Sequence, residues 1–269
     1  MILFPNAKIN LGLNVLSRRD DGFHNIESCF LPVKISDVLE FVETNQETSF
    51  YSSGISIPGE SSENLCVKAW ELLYKECKIP RVKIHLHKII PIGAGLGGGS
   101  SDAAFMLKGL NEYFKLGLPD KKLESLAAQL GSDCAFFIRN KPTLATGRGE
   151  ILESLSLNLD AFKIVLVNPG IHVSTAEAYS GLTPCIPGKR ISDILNLPIS
   201  KWQELLVNDF EKTVTVKHPK IKLIKEVLLK LGAVYSAMTG SGSTVFGIFE
   251  KVPENLESAF KDTFVWVQK

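Results

Sequence analysis

The chain opens on a regular alternation of apolar and polar residues over residues 7–15. Alternation with a period of two predicts a β-strand with one face in the core and one face toward solvent. The apolar face carries Ile9, Leu11, Leu13 and Val15, and the polar face carries Lys8, Asn10, Gly12 and Asn14. A second alternating segment, residues 82–87, predicts another half-buried strand, which leads into a glycine-rich loop.

The same patterns divide the rest of the chain into short strands and helices. Asp120 is predicted as the N-cap of a helix that Gly131 ends. Further strands are predicted at 29–33, 38–42, 48–57, 162–167, 235–238, 244–249 and 263–267. Helices are predicted at 64–77, from about Ser100 to 114, at 121–130, from Ser174, and at 201–212, 219–231 and 254–261. This order indicates an α+β protein with an antiparallel C-terminal half, divided into domains 1–155 and 156–269.

Composition narrows the class of protein. The 269 residues are 45% hydrophobic and 22% charged, and the net charge of +1 gives no sign of nucleic-acid or anionic-membrane binding. The sequence predicts neither a membrane span nor a secretion signal. Its five scattered cysteines predict free thiols and a cytoplasmic location. His85 and His87 share a strand face but lack cysteine or carboxylate neighbours, so no metal site is predicted there.

The segment Pro91–Ala104, PIGAGLGGGSSDAA, is the strongest chemical signal in the sequence. Its glycines allow sharp backbone turns, and the helix that follows offers free N–H groups to an anion, so the segment predicts a phosphate-binding loop. A Walker A loop is excluded because no lysine follows the glycines. A dinucleotide loop is disfavoured because the preceding strand alternates, whereas such a strand is normally apolar on both faces.

The loop resembles the ATP-binding motif of the GHMP kinase superfamily, and other segments resemble further motifs of its 4-diphosphocytidyl-2-C-methyl-D-erythritol kinase members. These segments follow one another in that family's order. They are PNAKINL at 5–11, RDDGFH at 19–24, GSDCAFF at 131–137 and MTGSGS at 238–243. The resemblance implies the two-domain GHMP kinase fold, with a ribosomal-S5-like N-terminal domain and a ferredoxin-like C-terminal domain.

The resemblance also implies roles for individual residues. Lys8 and Asp133 are the expected catalytic pair, in which Asp133 orients or deprotonates the substrate hydroxyl. ATP is expected to bind Pro91, Ile92, Gly93, Ala94, Gly95, Leu96, Gly97, Gly98, Gly99, Ser100, Ser101 and Asn64, with the two serine hydroxyls directed at phosphate or Mg²⁺. The substrate is expected to contact Asn10, Phe23, His24, Thr175 and Tyr179, with the aromatic residues at its cytosine. The family usually has tyrosine at the position of Phe23.

The implied reaction is transfer of the ATP γ-phosphate to the 2-hydroxyl of a cytidine-diphosphate polyol, with Mg²⁺ as cofactor. No protein ligand of Mg²⁺ and no oligomeric state is predicted. Two alternatives stay open: a GHMP kinase for another alcohol, of the homoserine or mevalonate type, and an inactive nucleotide-binding protein on the same fold. The RDDGFH segment disfavours the first alternative, and retention of Lys8 and Asp133 disfavours the second.

Overall fold

A computed structural model describes residues 1–268. The strands are β1 (Ile2–Leu3), β2 (Asn6–Arg18), β3 (His24–Ser36), β4 (Val38–Glu43), β5 (Ser49–Gly54), β6 (Val82–Lys88), β7 (Thr143–Thr146), β8 (Ile151–Ser154), β9 (Lys163–Asn168), β10 (Tyr235–Met238), β11 (Val245–Phe249) and β12 (Phe264–Val267). The α-helices are α1 (Leu65–Cys77), α2 (Gly98–Tyr113), α3 (Asp120–Leu130), α4 (Cys134–Arg139), α5 (Thr175–Tyr179), α6 (Ile191–Leu195), α7 (Trp202–Leu205), α8 (Glu211–Lys217), α9 (Pro219–Lys230) and α10 (Leu256–Ala259). Within these residues, no helix is long and apolar enough to cross a membrane.

The chain forms two compact units, each assembled from separate stretches of sequence. The first unit contains Met1–Ala7, Lys34–Ile92 and Gly97–Lys141, and the second contains Lys8–Val33, Gly93–Leu96 and the chain from Pro142 onward. This division differs from a single cut near residue 155 because long strands and the glycine loop each contribute to both units. The sequential boundary at 155 therefore stays a prediction.

The first unit is built on a sheet with strand order β1-β4-β6-β5. Strand β6 pairs antiparallel with β4 and parallel with β5. Its side chains alternate between buried and exposed, as the sequence predicts, with Val82, Ile84 and Leu86 in the core. Helix α2 also packs into this unit, so both the strand before the glycine loop and the helix after it have buried faces.

The second unit contains two sheets, with strand orders β2-β3-β7-β8 and β10-β11-β9-β12. All pairings in the second of these sheets are antiparallel, which confirms the prediction for the C-terminal half. One apolar cluster joins Leu13 and Val15 of β2 to Val165 and Val167 of β9 and to Phe210. Strand β2 is therefore fixed by the core of this unit.

Three local predictions were wrong. Strand β2 is buried on both faces, because the Lys8 side chain bonds to that of Asn10, and Asn10 bonds to the Ser28 side chain of β3, instead of to solvent. The helix predicted at 201–212 is two helices, α7 and α8, separated by a segment that pairs with β2. Asp120 is the first residue of α3 and not its N-cap, because Pro119 occupies the N-cap position.

Candidate active site

The glycine loop has a left-handed backbone at three alternating positions. The φ angles of Gly93, Gly95 and Gly97 are 65°, 79° and 69°, a region that side chains with a β-carbon rarely adopt. Gly97 is the N-cap of α2, whose first N–H groups lack carbonyl partners within the helix. The loop therefore ends at the N-terminus of a sixteen-residue helix. This N-terminus favours an anion through both its free N–H groups and the helix dipole.

Within the second unit, residues 93–96 contact the C-terminal loop 239–244. A β-carbon placed on Gly95 would lie 2.0 Å from the carbonyl oxygen of Thr239, and one on Gly242 would lie 2.2 Å from the carbonyl carbon of Ala94. The N–H of Thr244 donates to the Ala94 carbonyl at 3.3 Å. The two Gly/Ser loops thus rest directly against each other, as the sequence suggests, at a distance that only glycine permits.

Lys8 lies on the polar face of β2 and is 3% exposed. Its ammonium group donates to Asn10 Oδ1 at 2.7 Å and lies 4.7 Å from the ring centre of Phe30. Its backbone N–H donates to the Leu96 carbonyl at 2.9 Å, which joins β2 to the glycine loop. The ammonium is therefore held by a short, buried hydrogen bond and by an aromatic face.

Asn10 is 1% exposed, and both ends of its side-chain amide are engaged within the protein. Its Oδ1 accepts from Lys8, and its Nδ2 donates to the Ser28 hydroxyl at 2.8 Å. The Ser28 hydroxyl in turn donates to the Gly12 carbonyl at 2.6 Å. In this structure Asn10 supports Lys8, and its predicted contact with the substrate stays a prediction.

Asp133, in the first unit, stands immediately before α4 in the N-cap position. Its carboxylate forms no capping hydrogen bond, so the simplest structural explanation for an aspartate at this place does not apply. A β-carbon placed on Gly131 would lie 3.3 Å from the Cys134 sulfur and 3.9 Å from the Ser100 hydroxyl oxygen, so the first turn of α2 lies beside the Asp133 turn. Burial, assisted by the negative charge of Asp133, raises the pKa of the Cys134 thiol to about 11, so this thiol stays protonated.

A buried ion network lies where strand β6 meets the glycine loop. The Lys88 ammonium lies 2.6 Å from Asp37 Oδ2 and 2.7 Å from Asp102 Oδ2. The other oxygen of Asp37 accepts from the N–H groups of Ile89 and Ile90 at 2.6 and 2.9 Å. Burial raises the pKa of Asp102 to about 7, against the opposing effect of the Lys88 charge. The network ties the end of β6 to the first turn of α2.

Two aromatic residues of the second unit form one wall of a cavity. The rings of His24 and Tyr179 are stacked, with centroids 4.5 Å apart and planes 18° apart, and Phe210 meets Tyr179 edge-on at 4.8 Å. The cavity has a volume of about 450 Å³. Its lining consists of Arg18, His24, Ala176, Tyr179, Ser180, Leu182, Thr183 and Pro184. The structure therefore brings together two of the predicted substrate contacts.

The remaining predicted residues are more scattered. Phe23 is 55% exposed, and the guanidinium of Arg148, not a second aromatic ring, lies 4.9 Å from its ring centre. The hydroxyl of Thr175 lies 3.3 Å from that of Ser241 in the C-terminal loop. Asn64 is the N-cap of α1, because its Oδ1 accepts from the N–H of Cys66 at 2.9 Å. A structural role is thus established for Asn64, while its predicted contact with ATP stays a prediction.

Comparison with known proteins agrees with these features. Residues 64–141 match the GHMP kinases N terminal domain, and residues 192–265 match the GHMP kinases C terminal domain. The 4-diphosphocytidyl-2-C-methyl-D-erythritol kinase of Parabacteroides distasonis is 50% identical over 267 residues, which cover 99% of this chain and 98% of that protein. The chain belongs to the 4-diphosphocytidyl-2-C-methyl-D-erythritol kinase family.

Two further comparisons support membership of this family. The kinase of the same name from Cytophaga hutchinsonii is 54% identical over 255 residues, with 94% of each chain covered. A crystal structure of a 4-(cytidine 5'-diphospho)-2C-methyl-D-erythritol kinase superposes with a TM-score of 0.82 at 30% identity, covering 99% of this chain and 98% of that one. The GHMP kinase fold therefore extends over nearly the whole chain.

Sequence reasoning missed the Lys88 network and the segment Asn208–Glu211. A signal for Lys88 is present, because it continues the buried set Val82, Ile84 and Leu86 at the same spacing of two. A charged residue at a core position of a strand requires a partner. The signal at 208–211 is weaker, since two adjacent polar residues, Asn208 and Asp209, also fit an exposed helix face.

Proposed function

We propose that this chain transfers the γ-phosphate of ATP to the 2-hydroxyl of 4-diphosphocytidyl-2-C-methyl-D-erythritol, in the non-mevalonate route to isoprenoid precursors. The structural observation that carries the choice of alcohol is the stacked pair His24 and Tyr179 at a cavity of about 450 Å³. A flat aromatic wall with an imidazole at its edge suits a pyrimidine base, which it would recognise by stacking and by hydrogen bonds. Homoserine and mevalonate have no ring for such a wall to bind.

In this proposal the glycine loop and the first turn of α2 bind the ATP phosphates through backbone N–H groups. The left-handed glycines turn the chain sharply enough for several N–H groups to converge. Between the two serines, Ser100 is the favoured hydroxyl contact for the phosphates, because the Ser101 hydroxyl is fully buried. The backbone N–H of Ser101 is also occupied, since it donates to the Gly97 carbonyl. The loop supplies binding and alignment, which are the main requirements of phosphoryl transfer.

Lys8 and Asp133 have the catalytic roles in this proposal. Asp133 orients the substrate hydroxyl and accepts its proton late, as the phosphoryl group arrives. Lys8 stabilises the negative charge that develops during transfer. Fixing the Lys8 ammonium through Asn10 and Phe30 in the resting enzyme reduces the reorganisation needed when the substrate binds.

Mg²⁺ is proposed as the cofactor, bound chiefly through ATP. Within residues 1–268 no group of three or more histidine, cysteine, aspartate or glutamate side chains forms a metal site. The Ser100 hydroxyl is nevertheless a suitable oxygen donor, because Mg²⁺ commonly completes its shell with phosphates and water. When bound, the ion neutralises charge on the phosphates.

A coupled ADP-release assay with a panel of alcohols tests the proposal. We expect turnover with the cytidine substrate and none with homoserine or mevalonate at equal concentration. Turnover with one of the other alcohols would identify a different GHMP kinase, and ADP release with none of them would indicate an inactive nucleotide-binding protein.

A cytoplasmic location is part of the proposal, and it is supported by five free cysteines.

A further inference from the structure

The segment Val207–Asp209 interrupts a helical region and lies against β2 in the second unit. Asn208 forms a parallel bridge with Leu13. The Leu13 N–H donates to the Val207 carbonyl, and the Asp209 N–H donates to the Leu13 carbonyl, both at 2.8 Å. Asp209 Oδ2 also accepts from the Val15 N–H at 2.9 Å. Three hydrogen bonds thus fix this segment to the strand that carries Lys8.

The Asn208 side chain is 2% exposed, and its amide holds the C-terminal Gly/Ser loop. Its Nδ2 donates to the carbonyls of Met238 and Gly240 at 2.8 and 2.9 Å, and its Oδ1 accepts from the Phe210 N–H at 3.0 Å. The two carbonyls flank Thr239. Only a side chain with two N–H donors and an acceptor at this length satisfies all three groups.

Thr239 connects this loop to the lysine. Its hydroxyl oxygen accepts from the Asn10 N–H at 3.0 Å and lies 3.2 Å from both Asn10 Oδ1 and the Gly95 carbonyl oxygen, to which it can donate. Asn10 Oδ1 accepts from the Lys8 ammonium. Asn208 therefore holds the backbone on both sides of Thr239, and hydrogen bonds run from the Thr239 side chain through Asn10 to Lys8.

The residues that follow Asn208 anchor the same arrangement. Glu211 Oε1 accepts from the Met238 N–H at 2.7 Å, and its other oxygen pairs with Lys225. Phe210 packs edge-on against Tyr179 of the aromatic wall. One short stretch of chain thus contacts both the loop that leads to Lys8 and the ring expected to bind the base.

We infer that Asn208 is a positioning residue for phosphoryl transfer, which sets the location of the Lys8 ammonium through the 238–240 loop, Thr239 and Asn10. The inference rests on the proposed function. Because a displacement of about 1 Å at a reacting group costs on the order of 100-fold in rate, a residue that only fixes the support of Lys8 has a large effect on kcat. Its side chain is 2% exposed and its amide is bonded within the protein, so we expect little effect on the KM values of ATP and the cytidine substrate.

Asn208→Asp tests this inference, because aspartate keeps the acceptor for Phe210 but loses both donors to the loop. Asn111→Asp is the matched control, since Asn111 also donates its amide to a backbone carbonyl, that of Leu118 at 3.1 Å, at the far end of α2. We expect Asn208→Asp to lower kcat about 10- to 100-fold with KM values within about threefold, and Asn111→Asp to leave both unchanged. Thr239→Val, which breaks only the next link, should reproduce the Asn208→Asp kinetics.

A double-mutant cycle with Lys8→Met separates positioning from general loss of structure. If Asn208 acts through Lys8, Asn208→Asp should change kcat less than about threefold when Lys8 is already methionine. An equal fold-loss in both backgrounds would overturn the inference, as would a wild-type kcat in Asn208→Asp. Thermal melting of each variant confirms that the assays use folded protein. Failure of the wild type itself to turn over the cytidine substrate would refute the proposed function instead.

Discussion

Gly242→Ala tests whether the contact between the two Gly/Ser loops is needed for activity. The added β-carbon would lie 2.2 Å from the Ala94 carbonyl carbon and from the Gly95 nitrogen, whereas ordinary contacts begin at 3.4 Å. Both groups are backbone, so no flexible side chain can move aside. Gly242 does not have a positive φ, so the substitution tests the close approach and not backbone strain.

The loops must therefore separate by about 1 Å, which costs on the order of 100-fold in kcat if it displaces the phosphate-binding backbone. Overpacking of this kind also lowers the free energy of unfolding by about 1–3 kcal/mol. The assay is steady-state ADP release with saturating ATP and cytidine substrate, alongside urea unfolding of the same preparation.

Gly188→Ala is the matched control, because a β-carbon there meets nothing within 4 Å and the residue lies in an open loop. We expect its unfolding free energy to stay within about 0.5 kcal/mol of the wild type and its kcat to be unchanged. Equal kinetics and stability in the two variants would show that the loops are not held together at this contact, and would refute the reasoning.

Three further predictions concern single side chains. Asp133→Asn should lower kcat by about 10²- to 10⁴-fold while ATP affinity, measured by fluorescence titration, stays near normal; a near-normal kcat would remove Asp133 from the mechanism. His24→Ala should raise KM for the cytidine substrate about 3- to 10-fold without changing KM for ATP, since a stacked ring contributes about 0.5–1.5 kcal/mol; an unaltered KM would exclude it from base recognition. Burial raises the Asp102 pKa from 3.8 to about 7. Between pH 3.8 and about 7 the folded protein therefore keeps a proton that the unfolded chain has lost. Asp102 thus makes the free energy of unfolding fall as the pH rises through this range. Urea unfolding across this range should show that slope in the wild type and a reduced slope in Asp102→Asn; identical slopes would contradict the assignment.

Periodicity and glycine content predict the elements around the glycine loop well. Strand β6 alternates as expected, and α2 begins within two residues of the predicted position, because both depend on local pattern and on a helix start next to glycine. The paired loops of the second unit also have a local signal, since each is a short run of glycine and serine. In these parts of the site, the residues that act together are neighbours in the sequence.

The sequence could not predict the parts that depend on distant partners. The alternating sequence of β2 predicts a solvent-exposed polar face, whereas in the structure Asn10 on that face bonds to Ser28 and Thr239. The break between α7 and α8 follows from backbone hydrogen bonds to Leu13, about 190 residues away in the chain, which override helix propensity. Lys88 likewise resembles the end of an amphipathic strand until its two aspartate partners are placed.

The most direct test of the proposed reaction is ³¹P NMR of the product formed from ATP and 4-diphosphocytidyl-2-C-methyl-D-erythritol. The carbon bearing the 2-hydroxyl also bears the methyl group and no hydrogen. A phosphate on this hydroxyl therefore shows no three-bond coupling to a proton when the spectrum is recorded without proton decoupling. We predict one new unsplit phosphomonoester signal that grows as the γ-phosphate signal of ATP declines, with the diphosphate signals of the cytidine moiety retained. A split phosphomonoester, or free phosphate alone, would contradict transfer to the 2-hydroxyl.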